Sequence, residues 1–156
     1  MTTVDALLDC LASEAQQVEH FIDLLEAEAT ALTESDSADE LMGTTQAKQA
    51  AAARLGELYA RRSALVAELG GAGGDYAAMQ DLAARHAELA PAWEQLLELS
   101  SQARSLNQRN GVLIDAHLRH TQMSLDLLRG ISGLGNVYDA SGRAQAMGVG
   151  KTIATG

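Results

Sequence analysis

One cysteine, one proline, one phenylalanine and one tryptophan in 156 residues leave this chain short of the groups that crosslink, kink or fill a domain. The lone Cys10 has no partner for an intramolecular disulfide. Aromatic residues make up 3% of the chain, and the apolar remainder is mostly Ala and Leu, which disfavours a sheet and favours helices. No stretch approaches the roughly 20 consecutive apolar residues that span a bilayer. The N-terminus lacks the positive start and apolar run of a secretory signal. The expectation is a soluble, cytoplasmic protein of a reducing compartment, without membrane insertion and, from its length, with a single domain.

Positive charge is missing from the first 40 residues altogether: they hold eleven acidic residues and no basic one. The net charge of -10 is divided as -11 over residues 1–40, -2 over 41–100 and +3 over 101–156. An acidic N-terminal segment repels nucleic acid. It reads most simply as a solvated face that aids solubility. Alternatively it complements the mildly basic last third, within the monomer or across a homo-oligomer.

What is present is helical periodicity. Val4, Leu8, Leu11, Ala15, Val18, Ile22, Leu25, Ala29 and Leu32 step by four and three, and every Asp and Glu of the segment falls off that stripe. Thr2 and Thr3 are candidate caps, with Asp5 favourable in the first turn. The spacing predicts a first helix over about 3–34, ended by Ser35-Asp36-Ser37, and a second over about 38–69. The second carries Leu41, Lys48, Ala51, Leu55, Leu58, Leu65 and Leu69 along one side, with Arg54, Arg61 and Arg62 on its flanks. Four glycines among residues 70–74 stop it.

Asp75 caps a third helix over about 75–89, and Pro91 places a break near Ala90 and opens a final helix over about 91–130. The Gly-rich remainder, 132–156, reads as a flexible tail behind a helical domain of residues 1–131. The fold class expected is all-α: an elongated antiparallel helical bundle or coiled-coil-like hairpin of long helices.

Catalytic and cofactor chemistry finds no support in these residues. Gly150-Lys151-Thr152 imitates the end of a phosphate-binding loop, but Gln145 stands where that motif needs glycine and no strand precedes it. His117 and His120 share a helix face, yet Asp115 points elsewhere and no Glu-x-x-His pair exists, so no metal site is expected. His20 and His86 are isolated, His86 at a seam position. Acidic Asp5, Asp9 and Glu14 surround Cys10 and argue against a reactive thiol. No cofactor and no enzymatic activity are expected.

Binding surface remains, and it concentrates in the last helix. Met79, Leu82, His86, Leu89, Trp93 and Leu96 set a phase that resumes at Ile114, Leu118, Thr121, Leu125 and Leu128, and between them it passes through Asn107 and Asn110. The shared register argues that the helix runs through Asn110-Gly111 at a cost of roughly 1 kcal/mol. Leu113 with Ile114, and Leu127 with Leu128, occupy adjacent faces, so this helix has more apolar side chains than one narrow seam can cover.

The run ARSLNQRNGVLIDAHLRHTQMSLDLLRG, Ala103 to Gly130, followed by Gly-rich sequence and Tyr138-Asp139-Ala140-Ser141-Gly142, resembles the C-terminal half of FlgN, the flagellar type III export chaperone for hook-filament junction proteins. The resemblance implies a cytoplasmic chaperone that binds the terminal helices of the hook-associated junction proteins and prevents their premature assembly. It implies a client-binding region made of Leu106, Asn107, Asn110, Leu113, Ile114, Leu118, Leu125, Leu128 and Ile131. It further implies that Tyr138 helps dock chaperone and cargo on the cytoplasmic domain of the export gate protein. Such a chaperone works by pairing amphipathic helices and needs no ATP. A tail that covers the site part of the time lowers affinity by that fraction and eases release. The rival expectation is a self-assembling structural coiled-coil or helical-bundle adaptor without a client cycle.

Overall fold

The computed structural model describes residues 1–34, 38–71 and 76–132, with only the backbone of Ile131 and Ser132. These residues form four α-helices and no strand: α1 (Thr3–Glu34), α2 (Ala38–Glu68), α3 (Tyr76–Arg85) and α4 (Ala90–Ser132), with a 3-10 turn at Ala87–Leu89 before α4. The fold is all-α, as composition and periodicity predict. The expected break at Ser35-Asp36-Ser37, the expected cap Asp75 and the Gly-rich tail lie outside the described residues.

Local chemistry sets the helix ends. Thr2 Oγ1 accepts the Asp5 backbone N–H at 3.1 Å while Asp5 Oδ2 accepts the Thr2 N–H at 2.8 Å, a reciprocal capping box. These hydrogen bonds from Thr2 favour the ionised carboxylate and hold Asp5 below the usual carboxylate range. At the C-terminus of α2, Gly70 takes φ +83, which lets its N–H reach Ala67 O at 3.0 Å and the Gly71 N–H reach Val66 O at 2.9 Å. This double closure satisfies carbonyls that would otherwise be orphaned. A Cβ on Gly71 would stand 2.5 Å from Val66 Cγ1, so glycine is needed there on contact grounds as well.

α3 stops earlier than the sequence pattern indicates. His86, expected within a helix reaching Leu89, has φ -126 and ψ 89, and the break falls at this residue rather than near Ala90. A helix continued through Pro91 would drive its ring against the carbonyl four residues earlier, that of Ala87. Leaving helical geometry at His86 and restarting through a 3-10 turn puts Pro91 in the first turn of α4, where no N–H is missed.

The chain divides between Ile114 and Asp115 into two units. In the first, α1 and α2 run antiparallel: Glu14 pairs with Arg62, and fourteen residues on, Glu28 pairs with Lys48. α4 runs in the same direction as α1, since Trp93 packs near Arg62 and Asn110 reaches Leu25 and Glu28. Leu7, Leu11, Val18 and Leu25 of α1 form one core with Val66 of α2, Met79 and Leu82 of α3, Leu89, and Trp93, Leu96 and Ala103 of α4. Each large aliphatic side chain fully buried there contributes roughly 1.5–3 kcal/mol.

α1 therefore has neighbours on two sides, and it buries more than the one stripe. Leu7, Cys10 and Glu14, and two heptads further on Glu28 and Ala31, lie in phase on a second line buried beside the first. Glu14 and Glu28, read from the sequence as solvated because they fall off the main stripe, are interior. Arg62, placed on the flank of α2, is buried opposite Glu14 for the same reason.

Candidate functional site

Two regions of α4 differ sharply in what surrounds them. In the first unit its inward positions Leu96, Ala103 and Asn110 are buried. Asn110 Nδ2 donates to the Leu25 carbonyl at 2.7 Å and to Glu28 Oε1 at 2.9 Å, and Lys48 Nζ stands 3.0 Å from the same carboxylate. The Asn110 amide thus joins α4 to α1 at the point where the α1–α2 ion pair lies. Its own Oδ1 accepts from the Arg109 guanidinium at 3.3 Å, and Arg109 also approaches Glu26 of α1 at 3.5 Å. A carboxylate as buried as Glu28 requires such partners, since an ion without them loses its hydration uncompensated.

Nearer the N-terminal end of α4 lies a second polar junction. Arg62 Nε donates to Glu14 Oε1 at 2.8 Å, and the guanidinium sits 5.2 Å from the Tyr59 ring centre and 5.3 Å from that of Trp93. Cation–π contact on two rings suits a guanidinium that has given up most of its water. Cys10 belongs to this junction, its thiol directed at the Leu58 carbonyl at 3.5 Å. Burial first, and the Glu14 carboxylate second, push the Cys10 thiol up, so it stays protonated and unreactive.

Past Ile114 the helix presents its large apolar residues to solvent. Leu118 is 61% exposed, Met123 65%, Leu125 44%, Leu127 64% and Leu128 61%; Val112, just before the boundary, is 70% exposed. Isolated exposed leucines are ordinary on a protein surface, but this many in under three turns of one helix makes the stretch the candidate binding surface. The surrounding polar groups are paired along the helix itself: Gln122 Nε2 donates to Asp126 Oδ1 at 3.0 Å, and Arg129 lies 3.6 Å from the same carboxylate.

The candidate residues taken from the sequence consequently fall into separate groups. Leu106 packs partly against the core and Asn110 is fully buried and internally bonded. Asn107, expected on the same seam, faces solvent instead: it lies about 60° further round from Asn110, toward the outer side of α4. Leu113 and Ile114 are half-buried, and Leu118, Leu125 and Leu128 are exposed. The side chain of Ile131 and all of Tyr138 lie outside the described residues. Lys48 was placed on the packing side of α2 by sequence reasoning, but its partner Glu28 was not singled out. The available signal was the second line of small and apolar residues on α1 that continues through Glu28.

Among the described residues, no group of three or more His, Cys, Asp or Glu side chains comes together as a metal site, and no helix is long and apolar enough to cross a membrane. Comparison with known proteins finds the family model described as FlgN protein, matched by residues 1–146. No curated protein and no solved structure gives a significant match. The family match covers the acidic α1 and the α2 hairpin as well as the α4 segment that first carried the resemblance. With nearly the whole chain inside that match, the protein belongs to the FlgN family of flagellar export chaperones.

Proposed function

We propose that this chaperone binds the hook-associated junction proteins through α4, keeps them from assembling early and hands them to the cytoplasmic domain of the export gate. The observation that carries this reading is the exposed apolar surface of α4 at Leu118, Met123, Leu125, Leu127 and Leu128. Amphipathic helical segments of a client would cover such a surface and bury their own assembly faces in the same contact. Leu113 and Ile114 are half-buried at the end of the first unit, within which Leu106 and Asn110 join α4 to α1. Residues 1–131 would supply the working helical domain, and residues 132–156 a tail whose Tyr138 serves the gate rather than the client.

The test is binding of a purified full-length hook-filament junction protein in solution, with the double variant Leu125→Asp, Leu128→Asp as its control. Binding by the wild-type chain and its loss in the variant, at nearly unchanged helicity, is the expected result. A circular dichroism spectrum showing global unfolding of the variant would move these leucines into the core. A wild-type chain that only self-associates, with no affinity for a junction protein, would favour a structural adaptor instead.

A further inference from the structure

Asn110-Gly111 lies inside α4 without ending it. No atom lies within 4 Å of where a Cβ on Gly111 would stand, so neither a turn nor a close approach requires glycine there, and its weakening of the helix is not offset by packing. The dipeptide has a chemistry of its own. The backbone nitrogen of the glycine can attack Cγ of the asparagine: a bond forms between them, the Cγ–Nδ2 bond breaks, and ammonia leaves with the proton that the backbone nitrogen gives up. Water then opens the cyclic imide to aspartate or to isoaspartate, and no other co-reactant is needed. A side chain on the following residue hinders the attack, and glycine has none. The chain holds three asparagines, and the other two precede Gln108 and Val137.

Packing holds this reaction back. Inside α4 the Gly111 N–H donates to the carbonyl four residues earlier, that of Asn107, and helical backbone angles keep the nitrogen out of line with Cγ. The Asn110 side chain is fully buried and held at both ends, Nδ2 by Leu25 O at 2.7 Å and Glu28 Oε1 at 2.9 Å, Oδ1 by the Arg109 guanidinium at 3.3 Å. Attack therefore requires this turn of α4 to open and the amide to leave α1.

The product undoes the junction. An amide both donates and accepts, whereas an ionised carboxylate only accepts. An aspartate oxygen in the place of Nδ2 would face the Leu25 carbonyl and the Glu28 carboxylate with no hydrogen to share. Arg109 meets the other oxygen, and Lys48 is already held by Glu28, so the new charge stands against a buried carboxylate without a cation of its own on that side.

We propose that Asn110 is a deamidation site guarded by its own packing: opening of α4 from α1 admits the reaction, and the aspartate left behind weakens the contact that had protected it. The junction is a one-way device that records time spent open.

The test incubates the purified full-length chain for weeks in mildly alkaline buffer at physiological temperature, with and without urea, and follows Asn107 and Asn110 by peptide mapping and mass spectrometry. Gly111→Ala hinders the attack in a position with room for the methyl group, and Glu28→Ala loosens the junction without touching the dipeptide. The expected result is conversion at Asn110 in the folded chain, at least about tenfold slower than in urea, with faster conversion in Glu28→Ala and with Asn107, exposed on the same helix, left intact. In urea, Gly111→Ala should convert at least about tenfold more slowly than the wild type. In Asn110→Asp, amides of residues 93–110 should exchange at least about tenfold faster than in the wild type; the deamidated fraction of the aged wild type, separated by charge, gives the same reading should that variant not fold. No conversion in the folded chain, equal rates with and without urea, equal rates in wild type and Glu28→Ala, or unchanged exchange after deamidation each overturns the inference. None of these readouts involves a junction protein, so the chaperone reading stands or falls separately.

Discussion

Replacing Asn110 with alanine should loosen the first unit without touching the exposed surface of α4. The side chain is fully buried, and its Nδ2 makes two interhelical hydrogen bonds, one to the Leu25 carbonyl at 2.7 Å and one to the Glu28 carboxylate at 2.9 Å. A hydrogen bond to a charged acceptor contributes about 1.5–3 kcal/mol and one to a neutral carbonyl about 0.5–1.5 kcal/mol. Lys48 stays with Glu28 and the small polar void left behind can admit water, which offsets part of the loss. The net destabilisation is about 3 kcal/mol. With a urea slope of about 2 kcal/mol per molar, the unfolding midpoint falls by roughly 1.5 M. Urea titration followed by circular dichroism reads this directly, and binding of a junction protein below the transition should match the wild type. A midpoint shift of less than about 0.3 M refutes the assignment of Asn110 to the interior junction. Lost client affinity at an unchanged midpoint would place it on the client surface instead.

Three further outcomes follow from the same geometry. Arg62→Met leaves Glu14 buried without its ion partner and should cost about 3–5 kcal/mol, whereas adding Glu14→Leu to it should recover most of that in a double-mutant cycle by urea unfolding. Because the folded-state pKa of Asp5 is depressed, its capping contribution is present above the ordinary carboxylate pKa and disappears as pH falls through the lower folded value; amide exchange in the first turn of α1 should rise there, and Asp5→Asn should abolish that pH dependence. Tyr138→Ala should leave junction-protein affinity nearly unchanged while reducing export in a secretion assay, and a large affinity loss would contradict a gate-docking role.

The bounds of α1 and α2 were legible because a long seam of three-and-four spacing sits between a Thr2–Asp5 cap and a glycine stop, each of which carries a strong local preference. Continuation through Asn110-Gly111 was legible too, since the register on both sides outweighs the cost of one glycine. The early end of α3 was not: Pro91 announced a break, but the sequence placed it near Ala90, whereas the chain leaves helical geometry at His86 and reaches Pro91 through a 3-10 turn. Burial of Glu14, Glu28 and Arg62 was hidden for a different reason. A one-stripe reading assigns a helix one neighbour, while α1 has two, and a charged residue at an interior position becomes intelligible only when its partner on another helix is known. The surplus of apolar residues on α4 could be counted from the sequence. Which of them face solvent required the structure.

Hydrogen exchange along α4, measured on the free chain and again with a junction protein, bears most directly on the claim that the end of this helix is the client surface. The account predicts that amides of residues 115–132 exchange faster than those of 93–110 in the free chain, and that they slow by about tenfold or more when the junction protein is added. Equal protection of both stretches in the free chain, unchanged by the junction protein, would contradict it.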